Sequence, residues 1–448
     1  MAGIQDIIEE MLSVAPAGHR GLPDAAAQER LRSLTGLLIE ADPTAAQEYR
    51  RFIAIKQRHL DFAALVPALR QAYAGKRILV TGGTGCIGRL LLRQLRALHA
   101  GPTFSVSRGR RASRALPGVR YLSADICDGD ALTAVIAKAR PDVIFHLAAQ
   151  RDPGLAERAV FETVLTNALG TRNVLRAARE TGVERFSHAS TGKAMRYYTK
   201  DTYAASKKLS EWLLQEYASE GNSAGAARFT HVIDNSIVLR NLKKALPGGI
   251  ARIHDPSIEF YVQSAAESAQ LLLLAGLNER DHLRLFAIRD LGEPVRLLSM
   301  AVGLLGQRSN FPPIYFPGFD PGYEKGVYPG LYDPRTAGDL SPLINAIEAV
   351  SAAEVRDVPA VDGFELTLPV NGTIDDLVDG LAHECSTGDP ASVTRMLCQA
   401  SRTMSHTTFA SADPSLFSRL QRLAASSGGS LPCQPVSTSE PSYAAVSG

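Results

Sequence analysis

Short apolar runs alternate with amphipathic segments between residues 76 and 217 of this 448-residue chain. The apolar runs predict buried strands at residues 77–81, 103–107, 119–123, 143–147 and 185–189. Apolar residues at helical spacing predict helices near residues 87–99, 131–139, 161–180 and 203–217. Strands that alternate with helices in this way predict an α/β fold built on a Rossmann-type doubly wound parallel sheet.

The flanking segments follow other patterns. Residues 1–74 carry apolar residues at helical spacing with breaks at Pro23 and Pro43, which predicts an N-terminal helical extension. We interpret this extension as a helical wrap or dimerisation arm rather than a separate ligand-binding module. The remaining predicted divisions are a cofactor-binding domain at 75–240, a smaller substrate-binding region interleaved with it at 241–372, a helical segment at 373–425, and a disordered Ser/Gly/Pro-rich tail at 426–448.

Within the substrate-binding region the pattern is less regular. Helices are predicted at residues 261–277 and 294–305, with a strand at 285–288. Residues 311–334 are rich in Pro, Gly and aromatic residues, which predicts a structured loop over a site.

Charge and cysteine content narrow the function classes. The chain has 48 Lys and Arg against 46 Asp and Glu, a net charge of +2, and no basic stripe that would indicate a nucleic-acid partner. Its five cysteines are scattered, which favours a reducing compartment over a disulfide framework, and we predict no metal site. An acidic N-terminus without a secretion signal and a longest apolar run of only residues 271–277 predict a cytoplasmic protein with no membrane contact.

The most informative motif is Thr-Gly-Gly-Thr-Gly-Cys-Ile-Gly at residues 81–88, between a predicted strand and a predicted helix. Gly82 allows a tight turn, Gly85 lets backbone N–H groups approach a phosphate, and Gly88 lets the helix pack closely on the strand. Cys86 and Ile87 belong to the same loop, and the helix N-terminus favours an anion. The motif therefore predicts a dinucleotide-binding site.

The end of the second strand bears on which dinucleotide is bound. Ser107 and Arg108 stand where a carboxylate would accept hydrogen bonds from the ribose of NAD, and two more arginines follow at 110 and 111. Arginines suit a 2′-phosphate, so we predict NADP, with NAD possible. The further predicted cofactor contacts are Asp125 and Ile126 near the adenine, and Ala148 and Ala149 on the nicotinamide side.

Tyr203 and Lys207 stand four residues apart at the start of a predicted helix and therefore share one helical face. A lysine ammonium in this position can lower the pKa of the tyrosine and hold the cofactor ribose. Tyr203 then exchanges a proton with a substrate hydroxyl or carbonyl. Thr191, at the end of the fifth strand, can supply a further hydrogen bond to the reacting oxygen.

The ordered series of motifs resembles the extended short-chain dehydrogenase/reductase superfamily, and within it the capsular-polysaccharide type of nucleotide-sugar 4,6-dehydratases and epimerases. The resemblance covers roughly residues 60 to 330 and includes the sequences at 145–149, 167–171, 182–186, 190–194, 203–207, 292–295 and 321–325. It implies a redox triad of Thr191, Tyr203 and Lys207, with Lys193 as a second catalytic lysine. It also implies a cofactor contact at Asn167 and a homodimer or higher homo-oligomer formed through a four-helix interface.

Several positions depart from the family pattern. Gly192 replaces an aspartate that acts as an acid in the elimination of water. Phe260 and Asp320 occupy the places of two basic residues that grip the substrate diphosphate, and Arg151-Asp152 replaces a Lys-His pair. Arg151, Phe260 and Asp320 are accordingly the predicted substrate contacts, and the departures favour a changed substrate because an acid near a diphosphate weakens binding.

Three functions follow, in order of preference. The first is an NADP-dependent oxidoreductase that interconverts a carbonyl and an alcohol on a small molecule other than a standard nucleotide sugar, in a biosynthetic pathway. The second is a nucleotide-sugar epimerase or 4,6-dehydratase with tightly bound NAD(P), which Lys193 supports. The third is a non-catalytic NADP-binding scaffold.

Overall fold

The computed structural model describes residues 3–18, 21–109, 115–196, 199–246, 248–277, 282–323, 341–345, 347–366, 373–410, 414–415 and 418. A nine-stranded sheet lies at its centre. Seven of the strands are mutually parallel, in the spatial order β3-β2-β1-β4-β5-β6-β11. Their bounds are β1 Ile78–Thr81, β2 Thr103–Ser107, β3 Val119–Ser123, β4 Val143–His146, β5 Arg185–Thr191, β6 Ser223–Phe229 and β11 Arg284–Ile288. The predicted Rossmann-type sheet is confirmed.

Three strands of the central sheet were not predicted, and β6 is one of them. Strand β14 (Ala353–Val355) and strand β15 (Val358–Glu365) extend the sheet beyond β11, and β15 pairs with β11 in the antiparallel direction. The apolar positions of β15 are interrupted by Pro359, Asp362 and Gly363, which masked the strand in the sequence. The remaining strands are two-residue pairings in the substrate-binding region: β7 His231–Val232, β8 Ala251–Arg252, β9 Glu259–Phe260, β10 Val262–Gln263, β12 Val295–Arg296 and β13 Ile314–Tyr315.

Helices flank the sheet on both faces. They are α1 Ile4–Val14, α2 Ala25–Ala41, α3 Ala45–Ile55, α4 Val66–Tyr73, α5 Cys86–Ala97, α6 Gly129–Ala139, α7 Pro153–Arg158, α8 Val160–Val164, α9 Gly170–Glu180, α10 Thr202–Ser219, α11 Ile237–Ala245, α12 Ala265–Ala275, α13 Leu297–Leu305, α14 Thr373–Thr387 and α15 Pro390–Ala410. Short turns of helix at Leu165–Leu169, Gly192–Met195, Ile233–Asn235 and Glu348–Val350 complete the set. Among these described helices, none is long and apolar enough to cross a membrane.

Two predicted helices begin later than the sequence suggested. The helix predicted at 261–277 starts at Ala265, because Val262–Gln263 pairs with β7 and Ser264 forms a capping box with Glu267. The helix predicted at 294–305 starts at Leu297, because Val295–Arg296 pairs with β9. In both cases a strand precedes the helix without an intervening turn residue.

Two hydrophobic cores hold the structure together. The larger core surrounds the sheet and includes α4 and the C-terminal helices α14 and α15. The smaller core joins α1, α2 and α3 to α13 and the short strands of the substrate-binding region. Helices α1 to α3 of the N-terminal extension therefore pack against α13 and the short strands between residues 251 and 315, whereas α4 packs against the central sheet.

The C-terminal helices cover α8, α9 and α10. Val378 and Leu397 are buried in the larger core, and Arg172 of α9 forms an ion pair with Asp379 of α14. These contacts place α14 and α15 against the helix that carries Tyr203 and Lys207. The predicted tail at 426–448 lies outside the described residues.

Candidate active site

The glycine turn between β1 and α5 leaves no room for side chains. Gly82 has φ +71°, and a Cβ atom there would lie 2.9 Å from the Ala148 backbone nitrogen. A Cβ on Gly88 would lie 2.6 Å from the Cα of Gly83, so α5 packs directly on the turn. Gly85 caps α5 without a side-chain hydrogen bond, so the N–H groups of the first turn of α5, at Cys86 and beyond, remain available to an anion.

A buried histidine holds the turn to β4. His146 Nδ1 lies 2.7 Å from Thr81 Oγ1, and its Nε2 lies 3.1 Å from Thr171 Oγ1. The Thr171 hydroxyl donates to the carbonyl oxygen of Asn167, so it accepts from His146 Nε2–H. His146 is therefore a neutral Nε2–H tautomer, in agreement with burial that lowers its pKa to about 3.

The other predicted cofactor residues line the carboxyl ends of β2, β3 and β4. Ala148 donates its N–H to Thr81 Oγ1, and Ala149 follows it on the same loop. Asp125 accepts from the N–H of Cys127, and Ile126 is buried against Gly170.

Asn167 differs from this group because its side chain is fully used within the protein. Its amide donates to the Gln150 carbonyl and the Ser206 hydroxyl, both at 3.0 Å, and it accepts from the Gln150 N–H at 2.9 Å. It thus ties the loop after β4 to α10.

Arg108 follows Ser107 at the end of β2 and is exposed. Its guanidinium lies 3.4 Å from Glu162 of α8. Arginines 110 and 111 of the predicted basic loop lie outside the described residues.

Tyr203 stands in the first turn of α10 next to Thr191 at the end of β5. The Thr191 side chain lies close enough to the tyrosine hydroxyl to act on its pKa. Burial raises the pKa of Tyr203 to about 12, with Thr191 and the charge of Arg151 acting in the opposite direction. Tyr203 is therefore a protonated hydroxyl at neutral pH in this structure.

Lys207 points toward β5. Its Nζ lies 2.8 Å from His188 Nε2 and donates to the Ala189 carbonyl, also at 2.8 Å. Both Lys207 and His188 are buried, and burial lowers the pKa of Lys207 to about 7. In this arrangement burial, rather than Lys207, dominates the pKa of Tyr203.

Lys193 lies in the helical turn after β5. Its Nζ is 3.4 Å from Asp201 Oδ2 and donates to the Gly322 carbonyl at 3.3 Å. Asp201 also accepts from Arg196 at 2.9 Å and caps α10 through the Ala204 N–H. Gly192 begins the same turn and brings no acid.

The three predicted substrate contacts lie in different places. Arg151 is exposed, and its charge acts on Tyr203 and Cys86. Phe260 packs against His231 with the ring planes tilted by 57° and the centroids 4.9 Å apart, and Asp320 lies 3.2 Å from His254 Nε2. Arg151 is the one whose charge reaches the reacting tyrosine.

The sequence assigns no chemical role to His146, His188 or Asp201. The histidines gave no motif, although both end or lie in strands adjacent to the glycine turn. Asp201 had a usable signal, because an aspartate three residues before Ala204 at a predicted helix start is typical of an N-cap.

Residues 78–284 match the family model described as the NAD dependent epimerase/dehydratase family. The chain is 28% identical over 264 residues to the "Probable polysaccharide biosynthesis protein EpsC" of Bacillus subtilis, a match that covers 55% of this chain and 44% of that protein. It is 34% identical over 158 residues to a UDP-glucose 4-epimerase of Mycolicibacterium smegmatis, covering 33% of this chain and 49% of the relative. The chain therefore spans about half the length of these curated relatives.

The fold is similar to that of a solved structure titled "X-ray structure of Pen from Bacillus thuringiensis", with a TM-score of 0.56 and 21% identity. The similarity covers 67% of this chain and 89% of that one, and at this identity it supports the fold alone. The part of the chain that matches the NAD dependent epimerase/dehydratase family model, residues 78–284, holds the glycine turn, Tyr203 and Lys207, and the chain is similar to this family over that part.

Proposed function

We propose that this chain is an NADP-dependent oxidoreductase that interconverts a hydroxyl and a carbonyl on the sugar of a nucleotide sugar, in polysaccharide biosynthesis. The observation that carries the proposal is the placement of Thr191 and the buried Tyr203 hydroxyl together at the carboxyl end of the parallel sheet, on the same edge as a glycine turn that only a backbone can line. The relatives named for polysaccharide biosynthesis and for UDP-glucose support the substrate class. That support outweighs the changed substrate that Gly192, Phe260 and Asp320 favoured in the sequence.

The residues around the turn fit a dinucleotide. The space beside Gly82 and Gly88 excludes any side chain, and the first turn of α5 directs N–H groups at the position of a pyrophosphate. When bound there, a nicotinamide supplies the acceptor and donor of hydride. Arg108, in place of a carboxylate at the end of β2, favours the 2′-phosphate of NADP.

The proton chemistry belongs to Tyr203. Its protonated hydroxyl is suited to give a proton to a developing alkoxide in the direction of reduction, and the same oxygen receives the proton in oxidation. Thr191 orients that oxygen. The Lys207 ammonium uses two of its N–H bonds on His188 and on the Ala189 carbonyl, and its third N–H can point toward the cofactor ribose.

A second candidate function is epimerisation or dehydration at the same sugar, with the cofactor retained. Its support is Lys193, whose ammonium is held by the Gly322 carbonyl and by Asp201, a carboxylate whose charge also acts on Tyr203. A lysine that gives up its proton in such a site can remove a proton from the carbon beside a carbonyl.

Mass spectrometry of the purified protein, followed by incubation with UDP-glucose or UDP-N-acetylglucosamine, tests both functions. We expect bound NADP and a product that Tyr203→Phe does not form. Release of NADPH in proportion to product supports net oxidation, whereas product formed with the cofactor retained supports the second candidate. A protein that binds neither NADP nor NAD contradicts the proposal.

A further inference from the structure

Lys207 and His188 form a buried pair beneath the candidate active site. Lys207 is 2% exposed and His188 is 1% exposed. The lysine Nζ lies 2.8 Å from the histidine Nε2, and the Ala189 carbonyl takes a second N–H. An ammonium has three N–H bonds, so two of them are fixed on β5 and one remains.

When Lys207 is charged, its ammonium has no lone pair, so His188 must be the acceptor of the hydrogen bond between them. An ammonium donates to the lone pair on Nε2, which puts the imidazole proton on Nδ1. Nδ1 is buried and has no hydrogen-bond partner among the described residues. This orphaned nitrogen shows that His188 is not held by a structural hydrogen bond of its own, unlike His146, whose two nitrogens are both satisfied.

The surroundings allow one positive charge on the pair. His146 on β4 lies against His188 with ring centroids 5.2 Å apart, and its tautomer leaves it neutral. Glu211 of α10 favours the charged lysine, but its carboxylate is already bound to Arg228 of β6 and to Ser190 of β5. With burial opposing the charge, a second proton on His188 would place two cations 2.8 Å apart.

We propose that His188 is a positioning residue for Lys207: its Nε2 lone pair holds the buried ammonium on β5, so that the lysine keeps its charge and directs its remaining N–H toward the cofactor. The statement about the cofactor rests on the proposed function. The hydrogen bond between His188 and Lys207 is independent of that function, because both side chains belong to this chain.

The proposal predicts a specific pH dependence. A hydrogen bond to the charged form of Lys207 favours that form, so removal of the acceptor lowers the pKa of the lysine further. The coupling between the two residues should be present while Lys207 is charged and should vanish once it is neutral. A structural role of His188 through packing would give a coupling that pH does not change.

The first experiment needs no cofactor. A double-mutant cycle of His188→Leu and Lys207→Met is measured by urea unfolding of the full chain at pH 6 and pH 9. We expect a coupling of about tenfold in the unfolding equilibrium constant at pH 6 and less than about twofold at pH 9. A coupling that is absent, or equal at both pH values, overturns the proposal.

His188→Gln is the matched variant, because its side-chain carbonyl oxygen reaches about as far as Nε2 and also accepts a hydrogen bond. We expect it to restore the coupling at pH 6. If His188→Leu does not fold, the comparison of His188→Gln with His188→Met in the same cycle decides the question. A glutamine variant that behaves like the apolar variant counts against the proposal.

The second experiment is a fluorescence titration with NADPH between pH 6 and pH 9. We expect the pH at which affinity declines to fall by about one unit in His188→Leu and to be unchanged in His188→Gln. Profiles of wild type and His188→Leu that coincide contradict the positioning role. If neither NADPH nor NADH binds at any pH, the proposed function fails, while the urea cycle still decides the role of His188.

Discussion

The two sides of the candidate active site are built in different ways. On the cofactor side, the backbone of Gly82 and Gly88 and the N-terminus of α5 define the space, and the nearest histidine is neutral and fully bonded. On the substrate side, side chains define the space. Lys193, Asp201 and the Gly322 carbonyl form one chain of contacts between segments 129 residues apart.

The two kinds of construction account for two different properties of the site, cofactor binding and substrate choice. A backbone cradle accepts any dinucleotide of the right shape and depends little on the identity of distant residues. A side-chain cluster sets which substrate fits, because each charge must be matched by a partner. We therefore expect binding of the cofactor and choice of the substrate to be separable by mutation.

The largest expected effect concerns Tyr203. Tyr203→Phe keeps the ring and removes the hydroxyl to which we assign the proton exchange with the substrate oxygen. We expect turnover to fall by about 10³-fold, within the range for loss of a general acid or base. The measurement is product formation from a nucleotide sugar under saturating NADP.

The control is the dissociation constant of NADPH, which should change less than twofold because the Tyr203 hydroxyl lies beside Thr191 and is not part of the glycine turn. Thr191→Val should reduce turnover less than Tyr203→Phe does. A Tyr203→Phe enzyme that retains wild-type turnover would exclude Tyr203 as the proton-exchanging group.

The next effect tests how the substrate side is supported. Arg228 is buried between Glu211 of α10 and Glu348. Asn345, in the same C-terminal segment as Glu348, donates to the Met195 carbonyl in the turn that carries Lys193. Glu348→Gln removes one of the two carboxylates that pair with the buried Arg228 guanidinium. We expect a loss of about 3 kcal/mol in the free energy of unfolding.

Urea unfolding of the full chain measures that loss. The matched control is Glu184→Gln, which breaks the exposed ion pair with Lys76 and should cost less than about 1 kcal/mol. Equal effects of the two substitutions would show that the C-terminal segment does not support the site.

The same contrast explains what the sequence could predict. The parallel sheet, the glycine turn and the Tyr203–Lys207 helix depend on local patterns of a few residues, and each was predicted. The contacts of Lys193 with Gly322 and of Arg228 with Glu348 join residues more than 100 positions apart, and no local pattern encodes such a pairing. Strand β15 was not predicted for a related reason. It pairs with β11, about 70 residues earlier in the chain, and its own apolar pattern is interrupted.

A smaller effect is expected on the cofactor side from Gly82→Ala. The added Cβ would lie 2.9 Å from the Ala148 nitrogen at a residue with φ +71°. Gly182→Ala is a matched control, since Gly182 has φ +68° and no atom within 4 Å of its Cβ position. Each variant bears the backbone cost of about 1 kcal/mol, and the steric conflict belongs to Gly82 alone.

We therefore expect Gly82→Ala to weaken NADPH binding by about tenfold or more, because the loop must shift away from the phosphate position. Gly182→Ala should leave the dissociation constant unchanged, although both proteins unfold at lower urea concentration than wild type. Equal NADPH affinity in the two variants would show that the turn at Gly82 does not form the dinucleotide cradle.

The smallest expected effect concerns the choice between NADP and NAD. Arg108 lies 3.4 Å from Glu162, and both side chains are about half exposed, so this ion pair is weak and a 2′-phosphate can displace the glutamate. Arg108→Ser should reduce the preference for NADPH over NADH by about fivefold, the loss of one exposed charge contact. Glu162→Gln removes the carboxylate that competes with the phosphate for Arg108 and should raise the same preference by about twofold.

Both preferences are measured by fluorescence titrations with NADPH and NADH at two salt concentrations. The effects of both substitutions should be smaller at higher salt because exposed charges are screened. If Arg108→Ser binds NADPH as tightly as wild type does, Arg108 does not contact the 2′-phosphate, and the selectivity of the cofactor side resides in the glycine turn alone.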